Sequence, residues 1–389
     1  LQKAGWLKYL DLSESNVSDE MVDRLAELRQ LDVIDLLATK LSEEAIARLR
    51  QWLPECTIRF DVKAPPKPAA QNPHPPPAPA PAPKPTPPPP PPPEPEKAPE
   101  PPAPEKEPPG PRSLVFAGLV GDLFVRAWDA PEDAEWRPYK PARGRVAVSG
   151  GQFVKLSVRI GSDRFDAMRH LAPDDIHTLD VSDIRMEDEA VPFVARLTGL
   201  HTLVADSAEI SNDGLIQLCA LAELRELSLA GADEFDDKGL TKLSALKNLE
   251  RLVLRSTNVT DDSLRHVGTL SNLRYLDLTR TKVSDAGLAH LARLNSLSEL
   301  TLSYTRVSGP GLAHLKGLDS LKRLDILGTD VSASGVKALG ECKHLEIVQL
   351  EGSAITDTTL QQLGKAASLH QVNLINTGVS EKGVAALKK

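Results

Sequence analysis

The sequence predicts an α/β solenoid in which parallel strands form a ladder on a concave face and short helices lie on the convex face. The main observation is a leucine-bearing unit that recurs nine times, at intervals of 24 residues with a single interval of 25. The units begin at Ile176, Leu200, Leu224, Leu249, Leu273, Leu297, Leu321, Leu345 and Leu369. A strict period of this length is typical of repeat proteins, which bury one core layer per repeat and leave long open faces. We therefore expect a surface that binds a partner.

The first half of each unit predicts a strand and a turn. In the unit that begins at Leu273, Leu276 and Leu278 alternate with polar neighbours, which is the pattern of a half-buried strand. Parallel strands need a crossover connection, and the rest of each unit has the length to supply it. Thr281 follows the strand, where its hydroxyl can bond the backbone as the chain turns out of the sheet.

The second half of each unit predicts a short helix. Ser284 is a typical N-cap residue, and Asp285 after it suits the positive end of a helix dipole. Leu288, Leu291 and Leu294 then recur at helical spacing and should face the core. A serine or threonine occupies the N-cap position in most units: Ser211, Thr260, Ser284, Ser308, Ser332, Thr356 and Ser380.

The unit reads L-x-x-L-x-L-x-x-T-x-V-[ST]-D-x-G-L-x-x-L-x-x-L, which resembles the leucine-rich repeat family of the ribonuclease-inhibitor-like kind. The threonine after the strand and the V-[ST]-D-x-G-L step are similar to the 24-residue form of large bacterial repeat proteins. The unit is also similar to the repeats of F-box substrate receptors. The resemblance covers about two thirds of the chain and implies the fold, whereas function depends on exposed positions that differ between members.

Four segments are expected along the chain. Residues 1–62 carry two further units and the break Trp52–Ile58, which resembles a C-terminal cap, so we expect the end of a first and longer array. Residues 63–112 are a Pro-rich linker, residues 113–175 a β-rich N-terminal cap, and residues 176–389 the nine-repeat solenoid. The last repeat stops inside its helix, so we expect its end to be open.

The linker holds most of the chain's 33 prolines and almost no apolar residue larger than alanine. Such a segment cannot bury a core and is expected to be disordered or to adopt polyproline II structure, as a spacer between two arrays. Its P-x-x-P spacings also allow a docking track for proline-binding modules.

Residues 113–175 lack the repeat period but contain strand patterns over Leu114–Val125, Arg145–Val148 and Val154–Ile160. A short helix is expected over Asp166–Leu171. Since a solenoid needs a cap over its first core layer, we expect this segment to supply it. An independent small binding domain is the alternative.

Composition excludes some classes of function. The net charge of −8 disfavours general affinity for nucleic acid or anionic membranes, and three cysteines are too few for a disulfide framework. No catalytic, phosphate-binding or paired-cysteine zinc motif is found, so neither an enzyme nor a cofactor is expected. His266, His290 and His314 share one position in successive repeats, but adjacent helices lie about 8–10 Å apart, too far for a shared zinc ion. We expect a solvated helix face there and no metal site.

Candidate contact residues lie on the outward side of the strands. One column reads Glu226, Arg251, Tyr275, Glu299 and Arg323, where Glu226–Arg251 and Glu299–Arg323 can pair and give a charge-balanced solvated face. Because arginine and tyrosine are frequent in binding hot spots, the most promising group is Arg255, Tyr275, Arg280 and Tyr304. Within it, Arg255 and Arg280 have no acidic neighbour in their columns. The complete candidate set is Arg251, Arg255, Tyr275, Asp277, Arg280, Glu299, Tyr304 and Arg323.

The function that the sequence predicts is a scaffold that binds a protein partner through the concave strand face. One alternative is a substrate-receptor subunit of a ubiquitin-ligase-like complex, which the F-box resemblance implies, although no F-box helices are found in this sequence. The other is the substrate-selecting region of a larger enzyme whose catalytic domain lies elsewhere. The sequence leaves the compartment open between the cytoplasm and the cell envelope.

Overall fold

The computed structural model describes residues 9–12, 19, 22–25, 31–36, 39, 41–54, 56–60, 108–131, 133–159, 162–182, 184–352, 355–363, 365–375, 377–380 and 383. Residues 63–107, and with them nearly all of the Pro-rich segment, lie outside this described part. The expectation of a disordered spacer therefore stays a prediction.

The strands of the described part form one large sheet and one small one. They are β1 Tyr9–Asp11, β2 Val33–Asp35, β3 Thr57–Arg59, β4 Arg112–Phe116, β5 Gly121–Ala127, β6 Arg137–Pro141, β7 Gly144–Val148, β8 Gln152–Val158, β9 Thr178–Asp180, β10 Thr202–Val204, β11 Glu226–Ser228, β12 Arg251–Val253, β13 Tyr275–Asp277, β14 Glu299–Thr301, β15 Arg323–Asp325, β16 Ile347–Gln349 and β17 Gln371–Asn373. The large sheet has 15 strands in the order β3-β2-β1-β17 and on down to β9, followed by β8, β5 and β6, while β4 pairs with β7 alone. The repeat strands β9 to β17 are all parallel.

Short helices return the chain from each strand to the next. The α-helices are α1 Val22–Leu25, α2 Glu43–Trp52, α3 Val191–Val194, α4 Asn212–Leu218, α5 Asp261–Val267, α6 Asp285–Leu288, α7 Ala333–Leu339 and α8 Asp357–Leu363. The 3₁₀ segments are Ser162–Met168, Asp188–Ala190, Gly239–Ala245, Ala289–Leu291 and Pro310–Gly317. The prediction of an α/β solenoid with parallel strands and short helices is confirmed.

The core is built one layer per repeat. In the repeat of β13, Leu276, Leu278, Leu288, Leu291 and Leu294 are all fully buried, as the leucine pattern predicts. The same apolar positions are buried in the other repeats wherever the structure describes them, so the layers make one continuous core. Each layer is sealed only by its neighbours, and the stability of the array depends on nearest-neighbour contacts.

The N-terminal repeats lie against the last strand of the array. β1 pairs in parallel with β17, with Tyr9 opposite Gln371 and Leu10 opposite Val372. Leu10 and Val372 are both fully buried. The expectation of an open end beyond β17 is therefore wrong: the same leucine pattern in both segments gives matching core layers, which stack although they are far apart in sequence.

The cap region is richer in strands than the sequence indicated. β5 pairs antiparallel with β8, and β8 pairs in parallel with the first repeat strand, β9. The single strand expected over Leu114–Val125 is instead β4 and β5, because the chain turns at Ala117–Val120, where the Ala117 amide donates to the Ala167 carbonyl at 3.0 Å. β6 was not predicted. It carries prolines, which an edge strand tolerates.

His177 joins the cap to the first repeat. Its ring is buried, lies 4.3 Å from the ring of Phe153 between centroids, and its Nδ1 accepts a hydrogen bond from the Val154 amide at 3.3 Å. Burial, with a smaller contribution from the charge of Arg112, lowers the pKa of His177 to about 3. The neutral ring therefore serves as a structural acceptor.

The hydroxyls that follow the strands bond the backbone as predicted. Thr281 donates to the Leu278 carbonyl at 2.7 Å, three residues back. The equivalent bonds elsewhere come from Thr39, Thr257, Thr305, Thr329 and Thr377. This bond fixes the direction in which each chain segment leaves the sheet.

The N-cap prediction holds in part. Ser211, Thr260 and Ser284 accept from an amide in the first turn of their helices. Ser308 does not, since its segment begins at Pro310 with Gly309 as cap, and Ser332 makes no such bond. The capping role therefore depends on the local helix geometry.

The aspartates of the first helical turn link successive repeats, a role that the sequence did not reveal. Asp285 accepts from the Ser308 amide at 3.1 Å and from the Ser308 hydroxyl at 2.6 Å. Asp261 does the same with Ser284, and Asp237 with Thr260. Burial raises the pKa of Asp285, but the hydrogen bonds from Ser308 and its neighbours outweigh it, so the pKa lies below its usual value.

Replacing Asp285 with asparagine is expected to lower the free energy of unfolding at pH 7 by about 1–3 kcal/mol, because charge-assisted hydrogen bonds between repeats are lost. The folded-state pKa is depressed, so this contribution is present above the unfolded pKa of about 3.9 and is lost as the pH falls through the folded pKa. Urea unfolding at pH 7 and at pH 3 gives the free energy of unfolding of wild type and variant. The difference between them should be smaller at pH 3 than at pH 7. Exposed Asp319→Asn serves as the control, and a difference of equal size at both pH values would show that the charge of Asp285 does not stabilise the fold.

Candidate binding surface

The outward column of the strands has the register that the alternation predicts. Arg251 pairs with Glu226 on one side and with Tyr275 on the other, and Tyr275 pairs with Glu299, which pairs with Arg323. The intervening leucines are buried, so these five side chains share the opposite side of the ladder. They line one exposed surface, here called the strand face.

Charges on the strand face are paired differently from the prediction in one place. Arg251 Nε lies 3.4 Å from Glu226 Oε1, as predicted, and its guanidinium also lies 4.0 Å from the centroid of the Tyr275 ring. The predicted pair of Glu299 with Arg323 is not formed: Arg323 Nη2 lies 3.3 Å from Asp325 Oδ2 instead. Asp325 stands two residues along the same strand and on the same side, so the guanidinium reaches it directly.

The side chains of Asp277 and Asp325 are largely buried in the strand face. Asp277 is only 6% exposed and accepts from the Thr279 amide at 2.9 Å, so it is poorly placed to contact a partner. Burial, only partly offset by Arg323, raises the pKa of Asp325, and nearby Glu299 raises it further. Oδ1 of Asp325 is buried without a hydrogen-bond partner in the part of the chain that the structure describes.

A column of left-handed residues follows the strands. In seven successive repeats the described residue at this position has a φ between 56° and 74°, and its amide donates to the next repeat. The column is Ser207, Gly231, Ser256, Arg280, Tyr304, Gly328 and Gly352. A residue with a Cβ loses about 1–2 kcal/mol in this conformation, which glycine avoids. Arg280, with φ 56°, and Tyr304, with φ 57°, are thus two large side chains in a position that favours glycine.

These two residues touch and border a cavity. The Arg280 guanidinium lies 5.4 Å from the centroid of the Tyr304 ring, and that ring lies so close to Gly328 that a Cβ there would come within 2.5 Å of it. The cavity is shallow and open to solvent, has a volume of about 550 Å³ and lies where the chain leaves three successive strands. Its lining consists of Asp233, Ser256, Thr257, Asn258, Arg280, Thr281, Lys282, Tyr304, Thr305 and Arg306.

The candidate residues therefore fall into two Arg–Tyr pairs and do not form one cluster. Arg251 and Tyr275 lie on the strand face, whereas Arg280 and Tyr304 lie at the cavity. Arg255 is exposed but belongs to neither pair, since it precedes the left-handed residue Ser256 and does not line the cavity. Sequence reasoning missed Lys282 and Arg306, although their basic character in the same slot of successive repeats was a usable signal.

The three histidines do not come together at a metal. His266 lies on α5, and His290 and His314 lie in separate 3₁₀ segments. Among the described residues, no group of three or more histidine, cysteine, aspartate or glutamate side chains could hold a metal ion. Nor does any helix in those ranges have the length and apolar character to cross a membrane.

Comparisons with known proteins agree with the repeat pattern. The family model described as "Leucine Rich repeat" matches residues 269–292, which span the unit of β13 and α6. This match agrees with the leucine-rich repeat pattern of the sequence and with the parallel ladder of strands. The ribonuclease-inhibitor-like subtype stays a prediction. No curated protein matches the sequence.

Solved structures of similar fold include an internalin of Listeria monocytogenes, at 18% identity and a TM-score of 0.37, with 60% of this chain and 84% of the internalin covered. A leucine-rich repeat protein of Leptospira interrogans is 17% identical with a TM-score of 0.38, over 55% of this chain and 65% of that one. The plant peptide hormone receptor RGFR1, solved in complex with RGF2, is 18% identical with a TM-score of 0.33, over 47% of this chain and 33% of the receptor.

Proposed function

We propose that this chain is a scaffold that binds a protein partner through the strand face and the adjoining cavity, and that it carries out no catalysis of its own. The observation that supports this most is the pair Arg280 and Tyr304 in left-handed positions. Strained backbone of this kind persists where the surroundings enforce it and is concentrated at functional sites. Other repeats place glycine in the same slot, so the fold itself does not need these side chains.

The composition of the surface supports a protein partner. Arginine and tyrosine are enriched at protein interfaces, because they combine a large contact area with hydrogen-bonding groups. Tyr304 is 49% exposed, one of the few large hydrophobic side chains of the described residues to be so accessible. The net charge of −8 argues against nucleic acid as the ligand. The ubiquitin-ligase and larger-enzyme alternatives depend on segments beyond these repeats, and no feature of the strand face favours either.

Site-specific photocrosslinking tests the proposal. Benzoylphenylalanine at position 275 places the probe in the middle of the strand face. The matched control carries it in place of Arg265, which is exposed on α5. In an extract of the source organism, we expect a discrete adduct from position 275 and none from position 265. Adducts of equal yield from both positions, or none from 275, would contradict binding through the strand face.

A further inference from the structure

The cavity beside the strand face is basic in a protein that is acidic as a whole. Arg280, Lys282 and Arg306 line it, against the single carboxylate of Asp233. All three basic side chains are exposed, and they come from equivalent turns of two successive repeats. The chain has a net charge of −8, so this excess of positive charge is local to the cavity.

None of the three basic side chains has a carboxylate partner among the described residues. Lys282 Nζ donates to Asn258 Oδ1 at 2.9 Å, and Arg280 stacks on Tyr304. Some basic residues nearby are paired, as Arg274 Nε is with Glu250 Oε2 at 3.3 Å and Lys322 Nζ with Glu346 Oε1 at 3.0 Å. The three basic side chains at the cavity are available to a ligand.

Lys282, Tyr304 and Arg280 are held in place before any ligand arrives. Lys282 is positioned by Asn258, whose Nδ2 donates to the Asp233 carbonyl at 2.6 Å. The Tyr304 ring is packed against Gly328 on one side and faces Arg280 on the other. Preorganised donors lose less conformational entropy on binding, which favours affinity.

The chemistry of the lining selects the ligand. Guanidinium groups bind carboxylates through two parallel hydrogen bonds, and the aromatic ring can cover the apolar stem of an acidic side chain. A dense polyanion such as nucleic acid is disfavoured, because Asp233 lies in the same cavity and the chain as a whole repels it. A peptide with carboxylates carries a lower charge density, so both repulsions are weaker for it.

We propose that this cavity binds the acidic side chains of a peptide segment. This inference rests on the proposed function, because the acidic peptide segment is the part of the protein partner that contacts the cavity beside the strand face. Arg280 and Arg306 bind the carboxylates, Lys282 adds attraction from the side, and Tyr304 packs on the stem.

Fluorescence anisotropy with labelled hexaglutamate and hexaglutamine tests it on the whole chain. At low salt we expect hexaglutamate to bind at least tenfold more tightly than hexaglutamine, with the difference falling as salt rises. Arg280→Gln with Arg306→Gln should weaken hexaglutamate at least tenfold, and Arg280→Lys with Arg306→Lys should restore part of the loss. The charge-matched control is Arg265→Gln with Arg293→Gln, two exposed residues outside the cavity, which should bind like wild type.

Several results would overturn the inference. These are no binding of hexaglutamate, equal binding of both peptides, or an equal loss in the control variant. Displacement of hexaglutamate by inorganic phosphate at a far lower concentration than by acetate would assign the cavity to phosphate groups instead. The photocrosslink at position 275 lies outside the cavity, so it can succeed where the acidic-peptide proposal fails.

Discussion

Replacing Leu276 with alanine is expected to lower the free energy of unfolding by about 2–5 kcal/mol, through lost burial and the cavity that is left. Leu276 is fully buried in the middle of β13, between Leu252 and Leu300 of the adjacent strands. Because each core layer is sealed by its neighbours, the loss should weaken the array on both sides. Chemical denaturation followed by circular dichroism measures the effect.

The control for Leu276→Ala is Arg251→Ala on the next strand, which removes an exposed side chain of the strand face. Exposed substitutions of this kind change stability by about 0.5 kcal/mol or less. If Arg251→Ala cost as much as Leu276→Ala, the assignment of faces along the strands would be wrong.

Replacing Leu10 with aspartate is expected to detach the N-terminal repeats from β17. Leu10 is fully buried opposite Val372, and an uncompensated charge in such a place costs on the order of 3–5 kcal/mol. Detachment would expose β17 and the layer that contains Leu374. Hydrogen exchange should therefore accelerate at the amides of β17 while β12 and β13 stay protected, since their neighbours are unchanged.

Glu44→Gln, at an exposed position of α2, is the control for Leu10→Asp and should leave exchange at β17 unchanged. Unchanged protection of β17 in Leu10→Asp would mean that the N-terminal repeats do not contribute to the end of the array.

The positions that repeat most strictly could be predicted from the sequence. Leu276 and Leu278 identify the strand and its buried side, and Thr281 identifies the turn, because each has a single physical role that recurs in every unit. The outward column followed from the same alternation. The Arg251–Glu226 pair was predicted correctly, whereas Arg323 pairs with Asp325 of its own strand and not with Glu299.

Other features depend on geometry that the repeat pattern does not encode. The pairing of β1 with β17 joins segments separated by the Pro-rich linker, and any two units with the same leucines could stack in this way. In the sequence, only Gly231, Gly328 and Gly352 indicate a positive φ at this position of the repeat. The serine, arginine and tyrosine of the other repeats give no such indication. The cavity was missed because Lys282 and Arg306 follow the strands and do not lie on them.

We propose that Arg280 and Tyr304 occupy strained positions for binding and not for folding. The double variant Arg280→Gly with Tyr304→Gly tests it through the free energy of unfolding and the photocrosslink from position 275, measured on the same protein. Glycine relieves a strain of about 1–2 kcal/mol per residue at positive φ but adds freedom to the unfolded chain, about 0.5–1 kcal/mol. We therefore expect stability to be unchanged or slightly raised and the adduct to be lost.

The calibration for this measurement is Gly352→Ala, at φ 67°, where an added Cβ meets nothing closer than 3.8 Å. This substitution should lower the free energy of unfolding by about 1 kcal/mol, through the backbone conformation alone. If the double glycine variant were destabilised by more than this and still formed the adduct, Arg280 and Tyr304 would be structural residues and the binding surface would lie elsewhere.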